Sequence, residues 1–110
     1  MQMNEYQREA ARTMNPALSY EETSRHALHG MAAEVGELHG LFQKFYQGHP
    51  MDVEHVKKEI GDTLWMIAEF CTVHGWKLDE IAQMNIDKLR ARYPEGFTAD
   101  HSLHRKEGDI

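Results

Sequence analysis

Leu28-His-Gly-Met31-Ala-Ala-Glu34-Val35-Gly36-Glu37-Leu38-His-Gly-Leu-Phe42-Gln-Lys-Phe45 is the stretch on which the fold turns. Its apolar residues Leu28, Met31, Val35, Leu38, Phe42 and Phe45 recur at alternating steps of three and four. That spacing keeps them on one side of a helix, whereas a strand would scatter them over both faces. The segment therefore reads as one helix with a bundle seam. Ser19-Tyr-Glu-Glu22 opens it with the spacing of a capping box. Downstream, Val53, Val56, Ile60, Leu64, Ile67 and Cys71 make a second stripe, and Asp52 stands where a cap is needed. A further helix from about Asp79 to Tyr93 has Ile81, Ala82, Asn85 and Leu89 on one face. A short helix from Asn4 to about Met14 precedes them all, with Asn4 as its N-cap and Gln7 three residues on. No run of alternating β-branched residues occurs. The predicted fold is all-α, a helical bundle of about four helices.

The breaks agree with this division. They fall at Asn15-Pro16, Gly48-His49-Pro50, His74-Gly75 and Tyr93-Pro94-Glu95-Gly96. No linker or low-complexity tract divides the chain, which reads as one domain. Leu64-Trp65-Met66-Ile67-Ala68 is apolar right round its helix, and such a helix is buried on more than one side. A small bundle leaves one side of each helix wet, so a partner subunit is expected and the assembly is predicted to be an oligomer.

Composition excludes several classes of function. The chain has 110 residues, a net charge of −6 and a single cysteine, Cys71. Twelve Lys and Arg against eighteen Asp and Glu argue against a nucleic-acid backbone binder. The longest apolar run, Leu64 to Ala68, is far short of the roughly 20 residues that span a membrane. The polar start MQMNEYQREAART lacks the apolar core of a secretory signal. One cysteine cannot form an internal disulfide, so a reduced, cytoplasmic setting is the default. An acidic chain can still handle polyphosphates if a divalent metal cancels the repulsion.

Two acidic pairs supply that possibility. Glu34-Val-Gly-Glu37 lies on the second helix and Glu59-Ile-Gly-Asp62 on the third. A spacing of i, i+3 puts each pair on one helix face, with Cβ atoms about 5–6 Å apart. Positions 34 and 62, like 37 and 59, are symmetric about residue 48, a glycine in the Gly48-His49-Pro50 break. An antiparallel hairpin turning there sets Glu34 level with Asp62 and Glu37 level with Glu59. Four carboxylates so placed cannot all stay ionised without a counter-charge. Oxygen ligands suit Mg²⁺ and Mn²⁺, and Mg²⁺ completes its shell with substrate phosphates. The matching chemistry is metal-assisted attack of water on a phosphoanhydride. Gly36 and Gly61, inside the pairs, suggest close approach of a neighbouring helix or a ligand, since glycine costs a helix about 1 kcal/mol relative to Ala.

Asn85, Lys88 and Arg92 fall at steps of three and four near the end of the fourth helix. They form either a solvated, dipole-favoured helix end or a phosphate clamp beside the metal site. His55, one turn before Glu59, is in reach of the site or is an exposed helix histidine. Cys71, Trp65 and Phe70 read as core, and His101 and His104 as solvated tail residues. Glu-x-x-His and His-Glu-x-x-His are both absent, which removes di-iron bundles and zinc-protease helices. No nucleophile-elbow serine and no P-loop occurs.

Glu-x-x-Glu followed after 21 residues by Glu-x-x-Asp resembles the all-α nucleoside triphosphate pyrophosphohydrolases of the MazG type. Asn85-x-x-Lys88-Leu-x-x-Arg92-Tyr93-Pro94 is similar to that family's C-terminal signature. The resemblance covers about residues 4–97, so residues 1–97 are taken as the helical domain and 98–110 as a polar tail. It implies a dimer or a dimer of dimers, and cleavage of a nucleoside triphosphate into monophosphate and pyrophosphate. It further implies Mg²⁺ held by Glu34, Glu37, Glu59 and Asp62, with Glu37 orienting or deprotonating the attacking water. Lys88 and Arg92 match the family's phosphate-binding cations, with Asn85 beside them. Enzymes acting on a phosphoribosyl-nucleotide in histidine biosynthesis share the acidic motifs, but Lys88 to Pro94 looks more like the MazG side. The competing readings are a non-catalytic helical dimer serving as scaffold, and a nucleotide sensor without turnover.

Overall fold

The computed structural model describes residues Met1–Ile110, and its regular elements are all helices, with no strand. The helices are α1 (Met3–Ala11), α2 (Tyr20–Tyr46), α3 (Val53–His74), α4 (Leu78–Arg92) and a short α5 (Ala99–Leu103). Helices α2 and α3 form a long antiparallel hairpin. Gly48 makes the turn with a φ of 98°, a left-handed value that glycine adopts freely. Ser19 and Glu22 form the expected capping box on α2, and Asp52 accepts from the His55 amide to cap α3. Gly75 ends α3 in the left-handed conformation.

The start of α1 differs from expectation. Asn4 lies inside the helix, and the N-cap is Gln2, whose amide meets Glu5 Oε2 at 3.4 Å. Asn4 Oδ1 instead accepts from the Asp79 amide. Gln7 is likewise no capping partner but a buried clamp. Its Nε2 donates to Thr72 Oγ1 at 3.2 Å and to the Trp76 carbonyl at 2.8 Å, and its Oε1 accepts from the Leu78 amide at 2.8 Å. One side chain thus ties α1 to the end of α3 and the start of α4, meeting backbone groups that the helix ends leave open. Beside it Ala68, Cys71 and Leu78 form a small buried cluster with Tyr6, Ala10 and Ile67 against it.

The hairpin's inner stripe also differs from expectation. Thr23, Ala27, Glu59, Met66, Ala68, Glu69 and Cys71 are the buried residues of α2 and α3. The anticipated seam residues Leu28, Val35, Phe42 and Phe45, and Val53, Ile60 and Leu64 of the second stripe, are all exposed. These members of the stripes therefore face away from the contact that the chain makes with itself, while Cys71 is buried and Met31, Leu38, Val56 and Ile67 are half-buried. Small residues on α2 let α3 come close on the other side. Gly30 is the one glycine packed tightly against α3. A Cβ there would run into the Met66 side chain, while nothing lies within 4 Å of Gly36 or Gly61. The close-packed glycine is thus Gly30, not the two within the acidic pairs. Positions 30 and 66 are symmetric about residue 48, so the anticipated register holds.

The shape is open. The radius of gyration is 17.3 Å, against about 13 Å for a compact chain of this length. The accessible surface is 8416 Å², against about 6,300 Å² for a compact monomer of this mass. Only nine residues are buried, and no large side chain is fully so.

Candidate functional site

The hairpin brings acids together near its middle. Glu34 of α2 and Glu59 and Asp62 of α3 place carboxylate oxygens within 4.8 Å of one another. Glu37 is exposed at the edge of this group and in hydrogen-bond reach of Glu59. Two oxygens, Glu34 Oε2 and Glu59 Oε2, are buried with no hydrogen-bond partner. Buried carboxylate oxygens without partners are costly, and a cation is what would satisfy several at once. The residues fit a hard divalent ion: all donors are carboxylate oxygens, and two are already stripped of water.

Electrostatics describe the same strain. Burial pushes the Glu34 carboxyl up to about 7, helped by its hydrogen bond with Glu59 and by the charges of Glu37, Asp62 and Glu59. Burial also works to raise Glu59, but hydrogen bonds from Glu34, Glu37 and His55 outweigh it and hold Glu59 below its usual range. The two carboxyls are therefore pushed in opposite directions, Glu34 up and Glu59 down. The His55 ring stands 3.0 Å from Glu59 Oε1 while remaining half exposed. Both sequence readings of His55 therefore hold, since it faces water and also reaches the site. Burial, then the charge of Asp62, raise the Tyr6 hydroxyl, so α1 borders the acids as well.

The α4 residues lie elsewhere. None of the charges acting on Glu34 or Glu59 comes from α4, which packs on α1. Asn85 and Lys88 are exposed. Arg92 is turned onto the C-terminal segment, where it pairs with Asp109. A single chain therefore does not set Asn85, Lys88 and Arg92 beside the acids, contrary to the clamp expected from spacing.

The family model for the MazG nucleotide pyrophosphohydrolase domain matches residues 22–97. The chain belongs to this family. No curated protein and no solved structure gives a significant match. The MazG match covers α2 from Glu22 onward together with α3 and α4, and so all four acids with Asn85, Lys88 and Arg92. It excludes α1 with its Gln7 clamp, and residues 98–110.

Sequence reasoning missed two further groupings. Gln7 looked like a capping residue because its neighbours at Thr72 and Trp76 are distant in the chain. At the open end of the hairpin, the His74 ring stacks on Trp76 at 4.6 Å and 18°, with Tyr20 Oη 2.7 Å from Nδ1 and Ser24 Oγ 3.0 Å from Nε2. No local motif announces such a cluster. His26 pairs with the buried Glu69 at 2.9 Å, another contact between helices.

Proposed function

We propose that this MazG-family chain is a divalent-metal-dependent nucleoside triphosphate pyrophosphohydrolase that yields a nucleoside monophosphate and pyrophosphate. The observation carrying this reading is the meeting of three carboxylates with two buried, unpartnered oxygens between them. A scaffold has no need of that arrangement. Glu34, Glu37, Glu59 and Asp62 would hold Mg²⁺, with Mn²⁺ the second choice. When bound, the metal supplies positive charge that offsets both the clustered acids and the polyphosphate.

The chain's own groups do the rest. Glu37, exposed at the edge of the acids, takes a proton from the attacking water. The water oxygen bonds to the α-phosphorus while the bond to the α–β bridging oxygen breaks. Pyrophosphate leaves with that electron pair. Glu34 and Asp62 would hold the metal, and His55 holds Glu59 in orientation. Lys88 and Arg92, with Asn85, bind the phosphates. They would reach the acids of another copy, because their own chain keeps them apart.

An oligomer, a homodimer or homotetramer, follows from the same reading. The excess surface over a compact monomer is about 2,000 Å², in the range of obligate interfaces. Leu28, Val35, Phe42 and Ile60 form the apolar face such an interface would cover. Residues 1–97 constitute the MazG-like helical domain and 98–110 a polar C-terminal tail, in a cytoplasmic protein without nucleic-acid or membrane partners. No helix is long and apolar enough to cross a membrane.

The test is pyrophosphate release from a panel of canonical and modified NTPs and dNTPs, with Mg²⁺ and with EDTA. Metal-dependent release from one of them is expected. Silence across the panel with Mg²⁺ still raising the melting temperature would favour the sensor. Silence with no metal effect would leave a scaffold.

A further inference from the structure

The C-terminal segment folds back on α4 in a particular way. Gly108, with a φ of 85°, turns the chain so that Asp109 faces the last turn of α4. Arg92 Nε donates to Asp109 Oδ2 at 2.8 Å, and Arg92 Nη2 donates to Oδ1 at 2.7 Å. The paired side chains are 9% and 16% exposed, whereas both partners are more than half exposed in the other ion pairs of Lys and Arg. The pair lines a cavity of about 370 Å³ whose wall also carries Lys88, His101, His104 and Arg105. In a chain of net charge −6, cations are gathered here. The hydrogen bonds of Arg92 outweigh burial and hold the Asp109 carboxyl below its usual range, with the charges of Arg92, Arg105 and Lys88 adding to the effect.

An apolar anchor does not hold this segment down, since Leu103 and Ile110 are both exposed. Its docking is electrostatic, and a more highly charged anion can compete with it. Two guanidinium nitrogens on two oxygens of one carboxylate is also the arrangement that a phosphate accepts.

We propose that Lys88, Arg92 and Arg105 form a binding site for a phosphate group of a polyphosphate, and that Asp109 occupies it as an internal competitor that must withdraw for the anion to enter. This rests on the reading of Lys88 and Arg92 as substrate cations, adds Arg105 to them, and gives the tail a regulatory role. The Asp109 carboxylate sets a threshold: polyphosphate must displace it, so affinity falls by the strength of the Arg92–Asp109 pair.

The experiment titrates pyrophosphate into the full-length protein in EDTA by calorimetry, which keeps the acidic cluster and its metal out of the measurement. Wild type is compared with Asp109→Asn, Asp109→Ala, Arg105→Ala and Arg92→Ala, each checked for helix content. Both Asp109 variants are expected to bind about tenfold more tightly, and Arg105→Ala and Arg92→Ala more weakly, a tenfold step being about 1.4 kcal/mol. A parallel arm measures KM for an NTP that is turned over. A lowered KM in Asp109→Asn identifies the anion as the substrate's polyphosphate. A change confined to free pyrophosphate identifies it as the released anion. Unchanged affinity in both Asp109 variants, with Arg92→Ala still losing binding, overturns the competitor while leaving the cation reading intact. No binding in any variant overturns the site itself, and metal-dependent turnover then judges the acidic cluster separately.

Discussion

The carboxylates between α2 and α3 and the cations at the end of α4 are both clustered charges, yet they are finished in opposite ways. Glu34, Glu59 and Asp62 crowd like charges together and leave two buried oxygens without a partner. Arg92 and its neighbours receive an internal counter-charge from Asp109 in a two-pronged pair. The first cluster needs something from outside the chain, and the second already has an occupant. A folded chain satisfies its polar groups wherever it can. The unsatisfied cluster therefore points to an external ion, while the satisfied one must first be opened before it can bind.

The largest effect that sharpens this contrast is on turnover. Glu37→Gln should lower kcat for metal-dependent pyrophosphate release by about 10²–10⁴-fold, the usual worth of a positioned base. Asp62→Asn should be comparably inactive while retaining its helix content. Lys88→Ala should instead act mainly on KM, and an equal loss of kcat in all three would erase the distinction. Steady-state kinetics with circular dichroism decide it.

Next is the packing that brings the acids level. Gly30→Val should destabilise the protein by about 2 kcal/mol, because overpacking against the buried Met66 has no easy outlet. It should also weaken the rise in melting temperature on adding Mg²⁺. In the isolated chain Gly36→Ala has open space and should gain roughly 0.5–1 kcal/mol. If urea denaturation shows Gly36→Ala to be destabilising, a second copy approaches there.

The pH dependence of the metal-free protein follows from Glu34. Its folded pKa of about 7 lies above the ordinary 4.5, so the folded state holds that proton more tightly than the unfolded state. The stability it contributes is full below the ordinary value and is lost as pH rises through about 7. In EDTA the melting temperature should fall over this window. Glu34→Gln should flatten that fall, and Mg²⁺ should cancel it. A slope unchanged in Glu34→Gln would assign it to the histidines instead. In the second cluster Asp109→Ala should cost about 1.4 kcal/mol of stability, the counterpart of the tenfold step it adds to anion affinity, and the melting temperature should fall accordingly.

The parts legible in the sequence were those set by local chemistry. Ser19 and Asp52 cap helices because a side-chain oxygen beside an open amide is a local fact, and Gly48 and Gly75 mark turns for the same reason. The register of the hairpin was legible too, since the loop at Gly48 fixes which residues stand level. Rotation of the hairpin was not. An apolar stripe such as Leu28, Val35 and Phe42 says that a partner exists, not which one, and here it faces away from the chain's own contact. The small stripe at Thr23, Ala27 and Gly30 carried weaker signal, yet it set the approach of α3. The candidate site was legible in its four acids. The orphaned oxygens and the grip of His55 on Glu59 were not, because both depend on rotamers and burial.

By itself the sequence determined that the chain is helical, where its helices break, how the acids are spaced and to which family it belongs, since all of these are local patterns. Only the tertiary structure decided which carboxylate oxygens lose their water, that Gly30 is the point of close contact, that Gln7 locks three helices, and that Asp109 sits on Arg92. Each of these pairs groups brought together by packing, and no local pattern encodes the burial that gives them their energy.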